Sequence, residues 1–191
     1  MTNLDADLLK QIKQGDDLAF TTLLEHFQTP VFNLCFRMLG NRQEAEDAAQ
    51  ETFWRAYQGI NKYDPNRSFS TWLLSIAAHF CIDLLRHRSL PSFSMDVLPE
   101  GNIPDPLPNP EKSVMDAMKQ AQLQQVISLL KPEDRAMIIL FYWYDFSEKE
   151  IGKSLSLSVS AVKSRLHRIR KQLATLWLLS EKQFSPVTEG T

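Results

Sequence analysis

Glycine is scarce in this chain, six in 191 residues, and none of them cluster into the loop that cradles a phosphate group. Long apolar runs are missing too: no stretch approaches the roughly 20 residues needed to cross a bilayer. The chain opens on polar and acidic residues, so no secretory leader is expected. Cysteine is limited to Cys35 and Cys81, both in apolar helical contexts without metal-ligand neighbours. They are expected to be buried free thiols of a cytoplasmic protein kept in a reducing compartment. The four histidines are scattered, and no nucleophile sits beside a base or a third orienting group. Enzymatic activity, a metal and a cofactor are therefore not expected. Segments of period two long enough to build a sheet are absent, and low glycine favours helix.

What the chain does contain is charge, unevenly distributed. The formal net charge of −2 announces no nucleic-acid binder, yet no acid occurs between Gly152 and Ser180. The early and middle segments lean acidic, which suits one partner at one end and a different one at the other.

Apolar periodicity predicts two helical blocks. Leu8, Leu9 and Ile12 give a short amphipathic helix that Gly15 stops. Asp16 or Asp17 caps a second helix, which Pro30 is expected to kink or restart before Gly40. Asn41 and Glu44 have capping-box spacing for a third helix to about Tyr57. A polar loop, Gly59 to Ser68, precedes a fourth helix from about Ser70 to Arg88. Six of the ten prolines then fall between Ser89 and Pro110, which reads as an extended, acidic linker. Helices resume near Glu111, break at Lys131-Pro132 and continue through Tyr144.

The most informative segment follows. Ser147 and Glu150 have capping-box spacing, Ile151 and Leu155 face inward, and Ser156-Leu157-Ser158 makes a turn, with Ser158 placed to cap the next helix. On that helix Val162, Leu166, Ile169, Leu173 and Leu176 fall within a sector roughly 80° wide at about 100° per residue. Ser160, Lys163, Ser164, His167 and Lys171 occupy the opposite side, with Arg168 and Arg170 flanking it and Arg165 beside the apolar stripe. This is the layout of a helix-turn-helix, whose second helix enters the major groove. Lysine and arginine suit phosphates and guanine edges, and serine suits adaptable hydrogen bonding.

Three motifs in order carry a family resemblance: Ala45 to Tyr57, AEDAAQETFWRAY; Phe69 to Arg86, FSTWLLSIAAHFCIDLLR; and Leu130 through Arg135 on to Leu173. Together they resemble a bacterial RNA polymerase sigma factor of the sigma-70 superfamily, in its spare two-domain extracytoplasmic-function (ECF) form. The resemblance implies an all-α chain. Residues 1–88 would form region 2, 89–112 a Pro-rich linker, 113–180 region 4 and 181–191 a flexible tail. Region 2 would bind the clamp helices of core RNA polymerase and open the −10 element. Region 4 would dock on the flap and read the −35 element. An anti-sigma protein is a further expected partner, and membrane insertion is not.

Residue by residue, Asp47, Gln50, Glu51 and Trp54 share one helical face at i, i+3, i+4, i+7 and would dock on polymerase. Tyr63, Asn66 and Arg67 in the polar loop, with His79 and Arg86 on the fourth helix, would meet the −10 DNA. His79 stands where the family commonly carries Asn, and Ser156 where many relatives have Gly. Ser160, Lys163, Ser164, Arg165, His167, Arg168 and Lys171 match positions facing the −35 duplex. The competing readings are a stand-alone helix-turn-helix regulator that does not join polymerase, and a sigma-like decoy without promoter activity.

Overall fold

The computed structural model describes residues 6–89 and 110–184. Of the Pro-rich linker expected at 89–112, residues 90–109 lie outside the described residues, as do residues 185–191 of the tail expected at 181–191; the described remainder, 89, 110–112 and 181–184, is helical rather than extended or frayed. Within them the chain forms eight α-helices and one 3₁₀ turn, without strands.

The first block is a bundle of four helices: α1 (Ala6–Lys13), α2 (Asp17–Leu39), α3 (Arg42–Gly59) and α4 (Phe69–Ser89). Each boundary has a local cause. Asp16 Oδ1 accepts from the Leu18 and Ala19 N–H groups at 2.9 and 3.1 Å, starting α2. Gly40, at φ 76°, ends it in the left-handed conformation that L side chains avoid. Pro30 lies inside α2 and the helix runs through it as one element, so the restart expected there does not occur. Asn41 caps α3 by accepting from Glu44 N–H at 3.0 Å. The Glu44 carboxylate does not complete a box; it pairs with Arg88 at the end of α4. Leu23, Val31, Leu34, Met38, Ala45, Ala48, Leu73, Leu74 and Ala77 are essentially inaccessible and make the core. Alanines on α3 let it approach α2 and α4 closely. Cys35 and Cys81 are buried free thiols in this core. A hydrogen bond to Cys35, and then burial, push the Cys81 thiol far up, so it is an inert SH group.

The second block comprises α5 (Pro110–Ser128), α6 (Pro132–Trp143), α7 (Glu148–Leu155) and α8 (Val159–Phe184). Pro132 opens α6, where its missing N–H costs nothing. Met137, Ile138, Ile139, Leu140, Ile151, Val162, Leu166 and Ile169 form its core. The apolar cluster continues into the first block without a break.

Candidate nucleic-acid interface

The helix-turn-helix forms as its residues dictate. Ser147 Oγ accepts from Glu150 N–H at 3.3 Å while Glu150 Oε2 accepts from Ser147 N–H at 2.9 Å, a complete capping box. Burial would raise the Glu150 pKa, but hydrogen bonds from Ser147 and Thr71 and the nearby Lys153 hold it below its usual value. Ser156 occupies the αL position (φ 55°, ψ 43°), a strained role for a residue with a Cβ. Its neighbour Leu157 closes the turn by donating to Gly152 O at 2.8 Å. Gly152 is required there: a Cβ would sit 2.7 Å from the Leu157 carbonyl oxygen. Ser158 then accepts from Ala161 N–H at 3.2 Å and starts α8.

On α8, Val162, Leu166 and Ile169 are buried, as their sector requires. Ser160, Lys163, Ser164, His167, Arg168 and Lys171 are exposed. Arg165 is half-buried. Its Nε and one terminal nitrogen reach Asp134 Oδ1 at 2.9 and 2.7 Å, and Arg168 lies 3.7 Å from the other oxygen. Asp134, only 4 % exposed in the first turn of α6, therefore fixes two arginines of α8. Lys163 lies 3.7 Å from Glu148 on α7. Arg170 donates to the Tyr142 hydroxyl at 2.8 Å, its guanidinium 5.4 Å from the Phe141 ring centroid.

In the first block the α3 spacing translates into a stripe. Asp47 and Gln50 are exposed, Trp54 is 57 % exposed, and Glu51 pairs with Arg55 at 2.7 Å. Ala45, Ala48, Ala49, Thr52, Phe53 and Ala56 are buried on the other side. Gln50 borders an open groove of about 460 Å³ between α2 and α3, floored by Leu24, Phe32 and Phe53. Sequence reasoning missed this groove, because its apolar residues read simply as core positions.

The residues expected at the −10 element are less uniform. Asn66 is exposed in an Asx turn, its N–H donating to Asp64 Oδ1 at 3.0 Å. Arg67 is half-buried. Tyr63 departs from expectation. It is 4 % exposed, its ring lies 5.3 and 5.1 Å from those of Phe69 and Trp72, and its hydroxyl donates to Arg67 O. An aromatic ring on a short loop beside an apolar helix start gains more from burial than from water. Tyr63 thus anchors the loop and presents no face to a base. His79 is exposed, and its Nδ1 donates to Ser75 O at 2.8 Å, which leaves Nε2 as an outward acceptor. Arg86 donates to Glu133 Oε1 on α6 at 2.7 Å.

Two helical blocks, the second ending in a capped helix-turn-helix with a basic outer face, define a class of DNA-binding protein. Comparison with known proteins narrows it. Residues 23–90 match the Sigma-70 region 2 family and residues 120–173 match Sigma-70, region 4. The chain is 39 % identical to the ECF RNA polymerase sigma factor SigW of Bacillus subtilis, over 88 % of this chain and 96 % of that protein. It is 35 % identical to the ECF RNA polymerase sigma factor SigE of Mycolicibacterium smegmatis, over 83 % of this chain and 63 % of that protein. Among solved structures, CnrH in complex with the cytosolic domain of CnrY superposes with a TM-score of 0.64 at 25 % identity, covering 88 % of this chain and 94 % of that one. The chain belongs to the ECF group of the sigma-70 family, and is a transcription initiation factor that binds core RNA polymerase and promoter DNA.

Proposed function

We propose that this chain docks on core polymerase through the α3 stripe of Asp47, Gln50, Glu51 and Trp54 and reads promoters with two separate surfaces. The adjoining groove gives a partner helix an apolar seat beside the polar stripe, the combination that fixes both affinity and register. The exposed face of α8 takes the −35 duplex: Lys163, Arg168 and Lys171 meet phosphates, while Ser160, Ser164 and His167 reach base edges. Arg165, held by Asp134, contributes a pre-positioned guanidinium at the rim.

At the −10 element, Asn66, Arg67, His79 and Arg86 form the contacting set, with Tyr63 bracing the loop from behind. Strand opening without ATP draws on capture of unstacked bases, each worth about 1–3 kcal/mol. Residues 1–88 and 113–180 are the two working units, joined through 89–112 and followed by 181–191. The protein acts in the cytoplasm, where core polymerase is, and carries no catalytic chemistry of its own. Solved relatives include CnrH with the cytosolic domain of CnrY and RpoE with the anti-sigma factor NepR from Bartonella quintana. An anti-sigma protein that covers these same surfaces is accordingly a partner of this chain.

The observation that supports this reading best is the cationic outer face of α8, presented by a fully capped helix-turn-helix. Run-off transcription with purified core polymerase on a randomised promoter library tests it. Enrichment of paired −10 and −35 sequences is expected. Transcripts that appear equally with and without the chain would refute it.

A further inference from the structure

Lys163, Arg165, Arg168, Arg170 and Lys171 follow one another along α8 without an acid among them. Charge of this kind binds any duplex, because phosphates line every sequence alike. Discrimination needs donors of fixed direction, which are satisfied by acceptors at one place and by no others.

Two acids reach these cations from other helices, and they differ in what they can hold. Glu148 on α7 lies 3.7 Å from Lys163, with both side chains more than a third exposed, so water and salt weaken that pair. Asp134 is buried in the first turn of α6, where the positive end of the helix favours its charge. Its carboxylate is therefore screened far less and does not swing out to water. Oδ1 accepts from Arg165 Nε at 2.9 Å and lies 2.7 Å from a terminal nitrogen of the same guanidinium. Oδ2 lies 3.7 Å from Arg168, whose side chain is mostly exposed. The Arg165 fork is thus gripped along one edge, and the donors of its opposite edge are not consumed by the pair.

We propose that Asp134 is a specificity-determining positioning residue for the −35 element. It cancels part of the charge that Arg165 and Arg168 would otherwise offer to any phosphate. It also holds the Arg165 fork in one direction, so that the remaining donors are satisfied by paired acceptors at one place, such as the O6 and N7 of a guanine edge. The rotamer freedom that an arginine loses on binding is already lost before DNA arrives. Asp134 therefore lowers affinity for DNA in general and widens the difference between sequences. The premise is the reading of α8 as the −35 surface given above, to which this adds the residue that sets its selectivity.

Holoenzyme assembled from core polymerase and the full chain tests this on two promoters that share a −10 element. One carries the −35 sequence preferred in the library selection, the other the same bases scrambled. Asp134→Asn keeps the shape of the side chain and removes its charge. The ratio of affinities for the two promoters should fall at least about fivefold. Binding to the scrambled promoter should become tighter, and its salt slope steeper by about one. A side chain that only stabilised the fold would weaken both promoters together and leave the slope unchanged. Arg165→Lys keeps the charge without the planar fork, and should lose discrimination to the same extent. That second variant decides the matter if Asp134→Asn loses helical content. An unchanged ratio in a folded variant, or a parallel loss on both promoters, overturns the role of Asp134 alone. Native holoenzyme that binds both promoters equally would instead overturn the reading of α8, and the role of Asp134 with it.

Discussion

The buried polar residues of the two blocks differ in kind. In the first block they are uncharged hydroxyls, two of which turn back on their own helices, Thr52 donating to Ala48 O at 2.7 Å and Ser75 to Thr71 O at 2.6 Å. The second adds to its buried hydroxyls, Ser154 and Ser180, a charged pair of neighbours, Asp134 and Arg135, facing opposite ways. Asp134 holds Arg165 and Arg168 on α8, while Arg135 reaches Ser128 O and Leu130 O in its own block and Met38 O in the other. Burial and the nearby Arg88 hold the Arg135 pKa below its usual value, yet it stays charged at neutral pH. The first block is thus a bundle held by apolar packing. The second is pinned by charge, which fixes the orientation of its DNA-facing helix and its contact with the first.

The comparison breaks most visibly at Asp134. Asp134→Ala leaves Arg165 without its acid and is expected to cost about 3 kcal/mol in urea denaturation. Thr52→Val in the first block should cost about 1 kcal/mol or less, because the lost bond is local. Equal costs would erase the distinction. Next in size, Lys163→Ala with Arg168→Ala should abolish dependence on the −35 element and lower the salt slope of duplex binding by about two. Core-polymerase binding should not change; its loss would mean the roles of the two blocks are divided wrongly.

A pH titration sharpens the contrast. Burial alone would raise the pKa of Glu133; its backbone hydrogen bond and then Arg86 outweigh that and lower it, as Ser147 and Thr71 do for Glu150. A depressed carboxylate contributes stability that is fully present above its unfolded value, near 4.5, and is lost as pH falls through the lower folded value. Contacts between the blocks should therefore weaken below about pH 4.5, while the apolar first block holds longer. Circular dichroism with scattering across pH 3 to 7 would follow this. The smallest effect is at the turn: Ser156→Gly should raise the melting temperature by relieving αL strain of about 1 kcal/mol. A lower melting temperature would show that the Cβ is not strained.

Local chemistry was legible in the residues themselves. Ser147 with Glu150, Asp16, Gly40 and the apolar sector of α8 act within one turn of helix, so spacing alone locates them. Residues on exposed faces, such as Asp47, Gln50 and Lys163, were likewise readable, because a polar stripe has a period. What spacing could not convey was pairing across the chain. Asp134 and Arg165 are 31 residues apart, and Arg135 and Met38 are 97 apart. Glu44 looked like the second half of a capping box, yet Arg88 competes for it more strongly than a backbone N–H. Tyr63 looked like a loop residue available to bases because nothing local reveals the aromatic trio it joins with Phe69 and Trp72.

The division of labour between the blocks is tested most directly by the affinity of the chain for core RNA polymerase, measured by fluorescence anisotropy. The Asp47→Ala, Glu51→Ala variant should keep its helical content and bind at least about tenfold more weakly, or roughly 1.4 kcal/mol. Undiminished affinity in that variant would contradict the assignment of polymerase docking to α3.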